Sequence, residues 1–266
     1  MILPGSYANG FAPRDGEPLW PELWRGCVGA WNPGLGPSGT VLRDWSPFKN
    51  HGTLTDMDPG TDWVASQGRY ALDFDGSNDH VLTVANDSVP TTRLAISAWM
   101  YQRTNTSQCA LVSIESPAGQ NTFTITPLFM PNSYFVWTDS TTTNIIVSLA
   151  DHPKLNEWNH VGFSWNGSQI SYFLNGSRRS VTNYNMSVAA GSRILIGRRM
   201  VNAAGTLDGL VDDVQVYGNI CSESTMRLLA SRRGIAYDMI PHDWSASQVA
   251  AYRARYYSQV VGSGVI

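Results

Sequence analysis

The chain has 266 residues and a formal net charge of −3, and 15% of its residues are charged, against roughly 25% in an average soluble domain. Neutral polar residues are abundant instead, with 27 Ser, 19 Thr and 17 Asn. This composition is typical of proteins rich in strands and turns. The slightly acidic balance disfavours a dedicated nucleic-acid-binding protein, and no apolar run approaches the ~18 residues that a membrane-spanning helix needs.

The first residues, Met-Ile-Leu-Pro-Gly, have neither the basic nor the sustained apolar segment of a secretory signal, so we do not expect export by a signal peptide. The three cysteines, Cys27, Cys109 and Cys221, are too few for a disulfide framework. Each lies in or beside an apolar stretch, and we expect each to be a small buried residue.

Residues 1–24 are rich in Pro and Gly and carry a stripe of large apolar side chains at Leu19, Trp20, Leu23 and Trp24. We interpret this segment as an N-terminal arm. Two possibilities remain open for its aromatic residues: they fold back onto the chain's own domain, or they dock on a neighbouring subunit.

We assign residues 25–234 to one domain, in which the sequence from Gly26 to about Tyr217 reads as short strands separated by turn residues, a pattern typical of a sandwich or barrel. The Asn-Gly pairs at 166–167 and 175–176 predict tight hairpins. The predicted strands are Arg69–Phe74, His80–Val84, Leu94–Met100, Ser133–Trp137, His160–Trp165, Ile170–Leu174, Arg193–Ile196 and Leu210–Tyr217.

Helical signals appear only near the C-terminus. The segment 222–234 begins with Ser, has Arg in its last turn and ends at Gly, and a second helix is predicted from a cap at Asp243 or Ser245 to Tyr257. We interpret residues 235–266 as a C-terminal helical and apolar tail outside the main fold.

Several segments between about Gly26 and Gly234 resemble the concanavalin A-like, laminin-G-type jelly roll in their order and spacing. They are Gly26–Trp31, Asp44–Ser46, Asn50–Leu54, Ala71–Gly76, Ala95–Met100, Trp158–Val161, Tyr172–Gly176, Ile194–Gly197 and Gly209–Tyr217. The resemblance implies an all-β fold in which two antiparallel sheets form a sandwich around an apolar core.

Strict alternation in the last strand predicts which side chains share a face. It places Asp212 with Val214 and Val216 on one face, and Val211 with Asp213 on the other. A carboxylate on an otherwise apolar face needs a partner, because an unpaired buried charge is costly.

Eight of the 16 Asp residues fall between Asp44 and Asp87, where Lys49 and Arg69 are the only cationic residues. Many jelly rolls of the family hold Ca²⁺ at a sheet rim, so the resemblance implies Asp75, Asp79 and Asp212 as candidate metal ligands. The alternative is that the aspartates of this region, with Ser46 and Asn50, accept hydrogen bonds from backbone N–H groups in turns.

Glucanases of related fold use two carboxylates, commonly Glu, on one strand. This chain has five Glu, and the one close pair, Glu17 and Glu22, lies in the arm. The Gly-x-Ser-x-Gly and His-Glu-x-x-His signatures are missing from the sequence, and the five His are scattered. We therefore expect a non-enzymatic protein.

Two functions from different classes fit these features. The first is a structural protein of a virus particle, a phage capsid decoration or tail-associated protein assembled in the host cytoplasm. Its arm and tail would bind other virion proteins or copies of itself, which makes a homo-oligomer the expected state.

The alternative is a calcium-assisted carbohydrate-binding module for extracellular or cell-surface glycans, with aromatic residues such as Trp137 or Tyr184 stacked on sugar rings. The paired arginines at 178–179 and 198–199 are either a solvated rim or a patch for a subunit or an anionic glycan.

Overall fold

The computed structural model describes residues 17–104, 109–118, 121–126, 134–138, 141–145, 151–185, 188–199 and 205–262, with the backbone alone at 121–122, 126, 134–138 and 141–145. In these ranges the chain forms sixteen strands and two α-helices. The strands are β1 Cys27–Trp31, β2 Val41–Leu42, β3 Gly52–Thr55, β4 Trp63–Ser66, β5 Arg69–Asp75, β6 His80–Thr83, β7 Leu94–Gln102, β8 Val112–Glu115, β9 Asn121–Thr126, β10 Tyr134–Thr138, β11 Thr141–Ile145, β12 Trp158–Trp165, β13 Gln169–Leu174, β14 Ser177–Asn183, β15 Arg193–Ile196 and β16 Asp208–Tyr217. The helices are α1 Glu223–Ala230 and α2 Ala246–Tyr256, the latter followed by a π-helical turn, Tyr257–Val261.

The strands form two eight-stranded antiparallel sheets, so the predicted all-β sandwich is confirmed. Sheet I has the order β14-β13-β12-β7-β16-β5-β4, with β1 also paired to β16, and sheet II has the order β11-β10-β9-β8-β15-β6-β3-β2. The main core lies between the sheets and includes Trp31, Phe74, Ile96, Phe163 and Ile194. Neither helix is long and apolar enough to cross a membrane, within the part of the chain that the structure describes.

Both Asn-Gly pairs form the predicted hairpin turns. Between β12 and β13, the side-chain oxygen of Asn166 accepts the backbone N–H groups of Ser168 and Gln169 at 3.0 and 2.8 Å. Between β13 and β14, Asn175 and Gly176 have φ of 48° and 79°, the positive values that a type I′ turn requires.

A second apolar cluster covers the outer face of sheet I, and it joins the two ends of the chain. Leu19, Trp20, Leu23 and Trp24 are buried there against α1 and the segment that follows it. The remaining members include Cys27, Tyr217, Cys221, Met226, Leu228, Leu229, Ile235, Ala236, Tyr237 and Val249.

Direct contacts hold the arm to the tail. Trp20 is fully buried, and its ring lies 5.0 Å from Tyr256 and 5.6 Å from Tyr257, between ring centroids. The Nε1 of Trp24 donates to the carbonyl of Ala236 at 2.8 Å. Of the two possibilities for the aromatic residues of the arm, the structure therefore shows that Trp20 and Trp24 fold back onto the chain itself.

The tail, which the sequence led us to interpret as lying outside the main fold, packs on the sandwich where the structure describes it. The Tyr217 hydroxyl of β16 donates to the carbonyl of Leu23 at 3.0 Å, so sheet, arm and tail share one buried cluster. The apolar stripe at Leu19–Trp24 is used inside the chain, which removes the sequence argument for its docking on a neighbour. Residues 1–16 and 263–266 lie outside the described residues.

A bulge in β16 changes the faces that alternation predicted. Against β7, Asp212 pairs with Trp99 and Gln215 pairs with Ser97, so β16 contains one extra residue, and Asp213 has φ of 52°. Val211, Val214 and Val216 consequently all enter the main core. The predicted placement of Asp212 on the face of Val214 and Val216 is wrong, because the bulge turns both aspartates to the outer face of sheet I.

These aspartates form a buried carboxylate cluster with Arg69 and Arg233. Asp212 is fully buried, and its Oδ2 lies 3.4 Å from Arg69 Nε and 3.7 Å from Arg233 Nη1. Its Oδ1 accepts the N–H of Gly34 at 3.3 Å, and Asp213 Oδ2 accepts the N–H of Gly234 at 2.8 Å. The cluster therefore connects β16 to the turn after β1 and to the segment after α1.

Burial raises the pKa values of both Asp212 and Asp213. The pKa of Asp213 is raised from 3.8 to about 7. Burial is the larger cause, and the neighbouring charge of Asp212 is the second. Burial also raises the pKa of Asp212, while Arg69 and Arg233 act in the opposite direction. Asp213 therefore ionises in the folded protein at a much higher pH than in the unfolded chain.

We expect Trp20→Ala to lower the free energy of unfolding by about 3–5 kcal/mol, because it leaves a large cavity between arm and tail. Urea unfolding followed by far-UV circular dichroism measures this loss. Val181→Ala, at a 48% exposed position on β14, is the matched control and should change stability little. A Trp20→Ala protein as stable as wild type would contradict a buried arm.

We expect Asp213→Asn to become more stable relative to wild type as the pH rises from about 4 to about 7. The raised folded pKa means that wild type loses stability in this window, on the order of a few kcal/mol, because the unfolded carboxyl ionises first. Asn tolerates the positive φ at this position.

The quantity to measure is the difference in the free energy of unfolding between wild type and variant. His160, whose pKa burial lowers from 6.5 to about 3, also makes the stability of both proteins depend on pH in this range. Asp56→Asn, at an exposed position whose φ is also positive, serves as the control. A difference that stayed constant from pH 4 to pH 8 would refute the shifted pKa.

Candidate functional site

Two of the predicted calcium ligands lie together in the turn between β5 and β6. Asp79 Oδ2 accepts the backbone N–H of Asp75 at 3.0 Å, and Asp75 Oδ1 accepts the N–H of Ser77 at 2.7 Å. Asp75 is exposed, whereas Asp79 is buried, and burial is the first cause that raises the pKa of Asp79 to about 6. Both carboxylates therefore stabilise the turn backbone, as in the alternative interpretation.

The third predicted ligand, Asp212, lies in the buried carboxylate cluster and pairs with two guanidinium groups. Among the described residues, no group of three His, Cys, Asp or Glu side chains is arranged to hold a metal ion. Calcium binding thus stays a prediction, and within the described ranges Asp212 does not join Asp75 and Asp79 in one site.

Asp44 also accepts turn hydrogen bonds. Its Oδ1 accepts the N–H groups of Ala30 and Ser46 at 2.8 and 2.7 Å, and its Oδ2 accepts the N–H of Asn50 and the hydroxyl of Ser46, each at 2.7 Å. This carboxylate fixes the segment after β2 against β1.

The structure describes the side chain of one of the two predicted sugar-stacking residues. The side chain of Trp137 lies outside the described residues, and Tyr184 is half-buried and packs on the main core. Of the paired arginines, Arg178 lies 3.8 Å from Glu223 and Arg179 lies 3.5 Å from Asp151, whereas Arg199 is buried.

The remaining reactive residues have structural surroundings. His160 is buried against Ser97, its Nε2 lies 2.7 Å from the hydroxyl, and burial lowers the pKa of the imidazole to about 3. All three cysteines are free and buried, as predicted. In the arm, the Glu22 carboxylate accepts the hydroxyl of Tyr257.

A pocket of about 260 Å³ opens at one edge of the sandwich, where β2 ends sheet II and β4 lies at the edge of sheet I. We call it the edge pocket. Trp45 and Trp63 contribute indole rings to it, and Asn32, Ser38 and Arg43 contribute polar groups. Sites for small molecules combine such apolar walls with a few placed polar groups.

The polar groups of the edge pocket differ in whether they already make hydrogen bonds or ion pairs within the protein. Trp63 Nε1 donates to the carbonyl of Gly39 at 3.0 Å, which fixes this ring. Asn32 is buried; its Oδ1 accepts from Arg69 Nη2 at 3.0 Å, while its Nδ2 has no hydrogen-bond partner within the described structure. Arg43 is exposed and makes no ion pair with any described residue. The pocket therefore offers the guanidinium of Arg43 to a ligand, whereas the Nδ2 of Asn32 is buried in its wall.

Local sequence explains the shape of the edge pocket. Pro33–Leu35 forms a 3₁₀ turn directly after β1, and Gly36 and Gly39 have φ of 108° and 73°, which only glycine adopts readily. The chain then returns through Asp44, whose neighbour Trp45 donates its N–H to Ala30 at 2.8 Å.

Sequence reasoning missed this pocket. The Pro- and Gly-rich run between Trp31 and Val41 was the available signal for a structured loop.

Comparisons with known proteins agree with this architecture. The sequence model of the concanavalin A-like lectin/glucanases superfamily matches residues 75–225, more than half of the chain. A search of curated proteins finds no match to the sequence.

Among solved structures, domain 4 of AbnA, an extracellular arabinanase from Geobacillus stearothermophilus, in complex with arabinotriose, is similar with a TM-score of 0.62 and 15% identity over 77% of this chain and 98% of that chain. The Trypanosoma rangeli sialidase in complex with sialic acid has a TM-score of 0.58 and 13% identity over 77% of this chain and 32% of its own. The botulinum neurotoxin serotype D binding domain has a TM-score of 0.56 and 12% identity over 77% and 51%. At these identities the structures show a shared fold, and with the family match they establish that the chain belongs to the concanavalin A-like lectin/glucanases superfamily.

Proposed function

We propose that this protein is a carbohydrate-binding module and that the edge pocket holds the sugar. The observation that carries the proposal is the combination, in one pocket of about 260 Å³, of two indole rings with an exposed guanidinium that makes no ion pair with a described residue. This volume lies just below the ~300 Å³ at which small-molecule sites start, so we propose a ligand no larger than one or two sugar rings.

The chemistry of a sugar matches these groups. A pyranose or furanose ring has apolar C–H faces, which pack on the face of an aromatic side chain, and hydroxyl groups at its edge. The exposed guanidinium of Arg43 is a donor from which sugar hydroxyl oxygens accept hydrogen bonds. These groups recognise a ligand by stacking and hydrogen bonding, and we therefore propose binding without catalysis.

The relatives support this proposal over the virion role. Domain 4 of the arabinanase has the same fold and was solved with arabinotriose, and the superfamily takes its name from lectins. We therefore propose a glycan outside the cell or at its surface as the partner. The virion role stays a prediction, and its main support, a pair of free apolar ends, does not fit the buried Leu19–Trp24 stripe.

We expect Trp45→Ala to weaken glycan binding about tenfold or more, because it removes a stacking surface, and Arg43→Ala to weaken it severalfold through a lost hydrogen bond. A glycan array identifies the ligand, and isothermal titration calorimetry then measures the dissociation constants. Phe48→Ala is the control, since Phe48 is 48% exposed and lies outside the pocket. Silence on a broad array, or equal affinities for all variants, would refute the proposal.

Calcium assistance is a separate proposal for the turn that holds Asp75 and Asp79. The expected result is a higher melting temperature in millimolar CaCl₂ than in EDTA, lost in Asp75→Asn, because the metal binds only the folded turn. Asp56→Asn provides the control for removal of one exposed carboxylate. An identical melting temperature with CaCl₂ and with EDTA would exclude calcium from this turn.

A further inference from the structure

We infer that a second site, on the outer face of sheet I, binds the carboxylate of an acidic sugar. The site is a depression of about 300 Å³ lined by Gln67, Arg69, Trp99, Trp158, Arg232 and Arg233. We call it the outer depression. The choice of a sugar as the carrier of the carboxylate rests on the proposed function, whereas the recognition of the anion does not.

Two tryptophans of sheet I provide the apolar part of the outer depression. Trp99 of β7 and Trp158 of β12 are each half-buried, so part of each ring is reachable from solvent. Their indole N–H groups are already engaged, with the carbonyl of Leu229 and the hydroxyl of Ser66 respectively, both at 3.2 Å. The rings are therefore held in place and can offer apolar surface to a ligand.

Three guanidinium groups surround this aromatic surface. Arg69 and Arg232 have side chains that are 23% and 49% exposed, so both are reachable. Arg233 is buried, and its guanidinium lies 4.0 Å from the ring centroid of Trp158. Arg233 therefore positions the ring and contributes positive charge beneath the surface.

The acidic groups nearby leave this positive charge only partly balanced. Asp212 is the common ion-pair partner of Arg69 and Arg233, and it is fully buried below them. Its distance to Arg233 Nη1 is 3.7 Å, too long for a hydrogen bond, and this Nη1 has no hydrogen-bond partner within the described structure. Asp238 pairs with Arg232. Three guanidinium groups thus face the carboxylates of Asp212 and Asp238, and Asp213, whose pKa burial raises to about 7, adds only part of a negative charge at neutral pH.

A planar anion complements this arrangement. Guanidinium groups bind carboxylates through two parallel hydrogen bonds, which gives them a preference for this shape. A sugar that carries a carboxylate would place the anion between Arg69 and Arg232 and its ring against Trp99 or Trp158. Uronic acids are the simplest sugars with both features.

The test uses D-glucuronate, its neutral counterpart methyl β-D-glucoside, and acetate, each titrated into ¹⁵N-labelled full-length protein. The indole N–H signals of Trp99 and Trp158 should shift with glucuronate and much less with the other two probes. We expect Arg232→Gln to weaken glucuronate binding about tenfold, since a hydrogen bond to a charged group contributes about 1.5–3 kcal/mol.

Two further variants separate recognition from folding. Asp238→Asn removes the carboxylate that competes for Arg232, so it should tighten glucuronate binding about two- to threefold, a gain that a damaged fold would not produce. Arg178→Gln is the matched control, because Arg178 is an arginine of similar exposure, also paired with an acid, outside the depression. It should leave the affinity unchanged.

The outcomes are distinct. Equal shifts with glucuronate and the glucoside, or unchanged affinity in Arg232→Gln, would overturn the anion site. Acetate binding as tightly as glucuronate would overturn the assignment to a sugar. The Trp45→Ala variant should bind glucuronate like wild type, so loss of the edge pocket and loss of the outer depression can be told apart.

Discussion

The structure depends on two buried carboxylates in the bulge of β16. Asp212 and Asp213 occupy an interior position where an unpaired charge would cost several kcal/mol. Their partners come from distant parts of the sequence, namely Gly34, Arg69, Arg233 and Gly234. The turn after β1 and the segment after α1 must therefore both be in place before the bulge is satisfied, which couples the ends of the chain to the sandwich.

The Arg69 guanidinium packs closely against a glycine from each of these two segments. A Cβ at Gly34 or at Gly234 would lie 2.1 or 2.2 Å from Arg69 Nη2, so a side chain at either position would displace this guanidinium. The segment after Gly234 then continues into Ile235 and Tyr237, which pack with the arm. One segment, starting at Gly234, therefore both donates a hydrogen bond to Asp213 and packs on the apolar residues of the arm.

The sequence predicted those features that are local. Alternation located β12, β13 and β15, the Asn-Gly pairs located two turns, and Ser222 and Ser245 cap α1 and α2 as expected. The family resemblance extended this to the two-sheet fold. A single inserted residue in β16 reversed the face of Asp212, because strand periodicity carries no information on a bulge.

The sites were less predictable because they depend on contacts between segments far apart in the chain. The edge pocket needs β2 and β4 to end neighbouring sheets, and the outer depression needs Arg232 and Arg233 to lie over Trp158. The acidic composition of 44–87 suggested a metal, yet Asp44 and Asp79 are engaged by backbone N–H groups. Local composition cannot distinguish these two uses of a carboxylate.

A single hydrogen bond connects the two candidate sites. Arg69 lines the outer depression and donates to Asn32, which lines the edge pocket. This bond fixes the orientation of the Asn32 side chain, which forms part of the wall of the edge pocket. The same Arg69 is held by Asp212, so the buried carboxylates determine the geometry of both sites. Asp212, Arg69 and Asn32 therefore position groups of both sites from inside the fold. The guanidinium groups of Arg43 and Arg232 are exposed instead, and that of Arg232 is paired with Asp238.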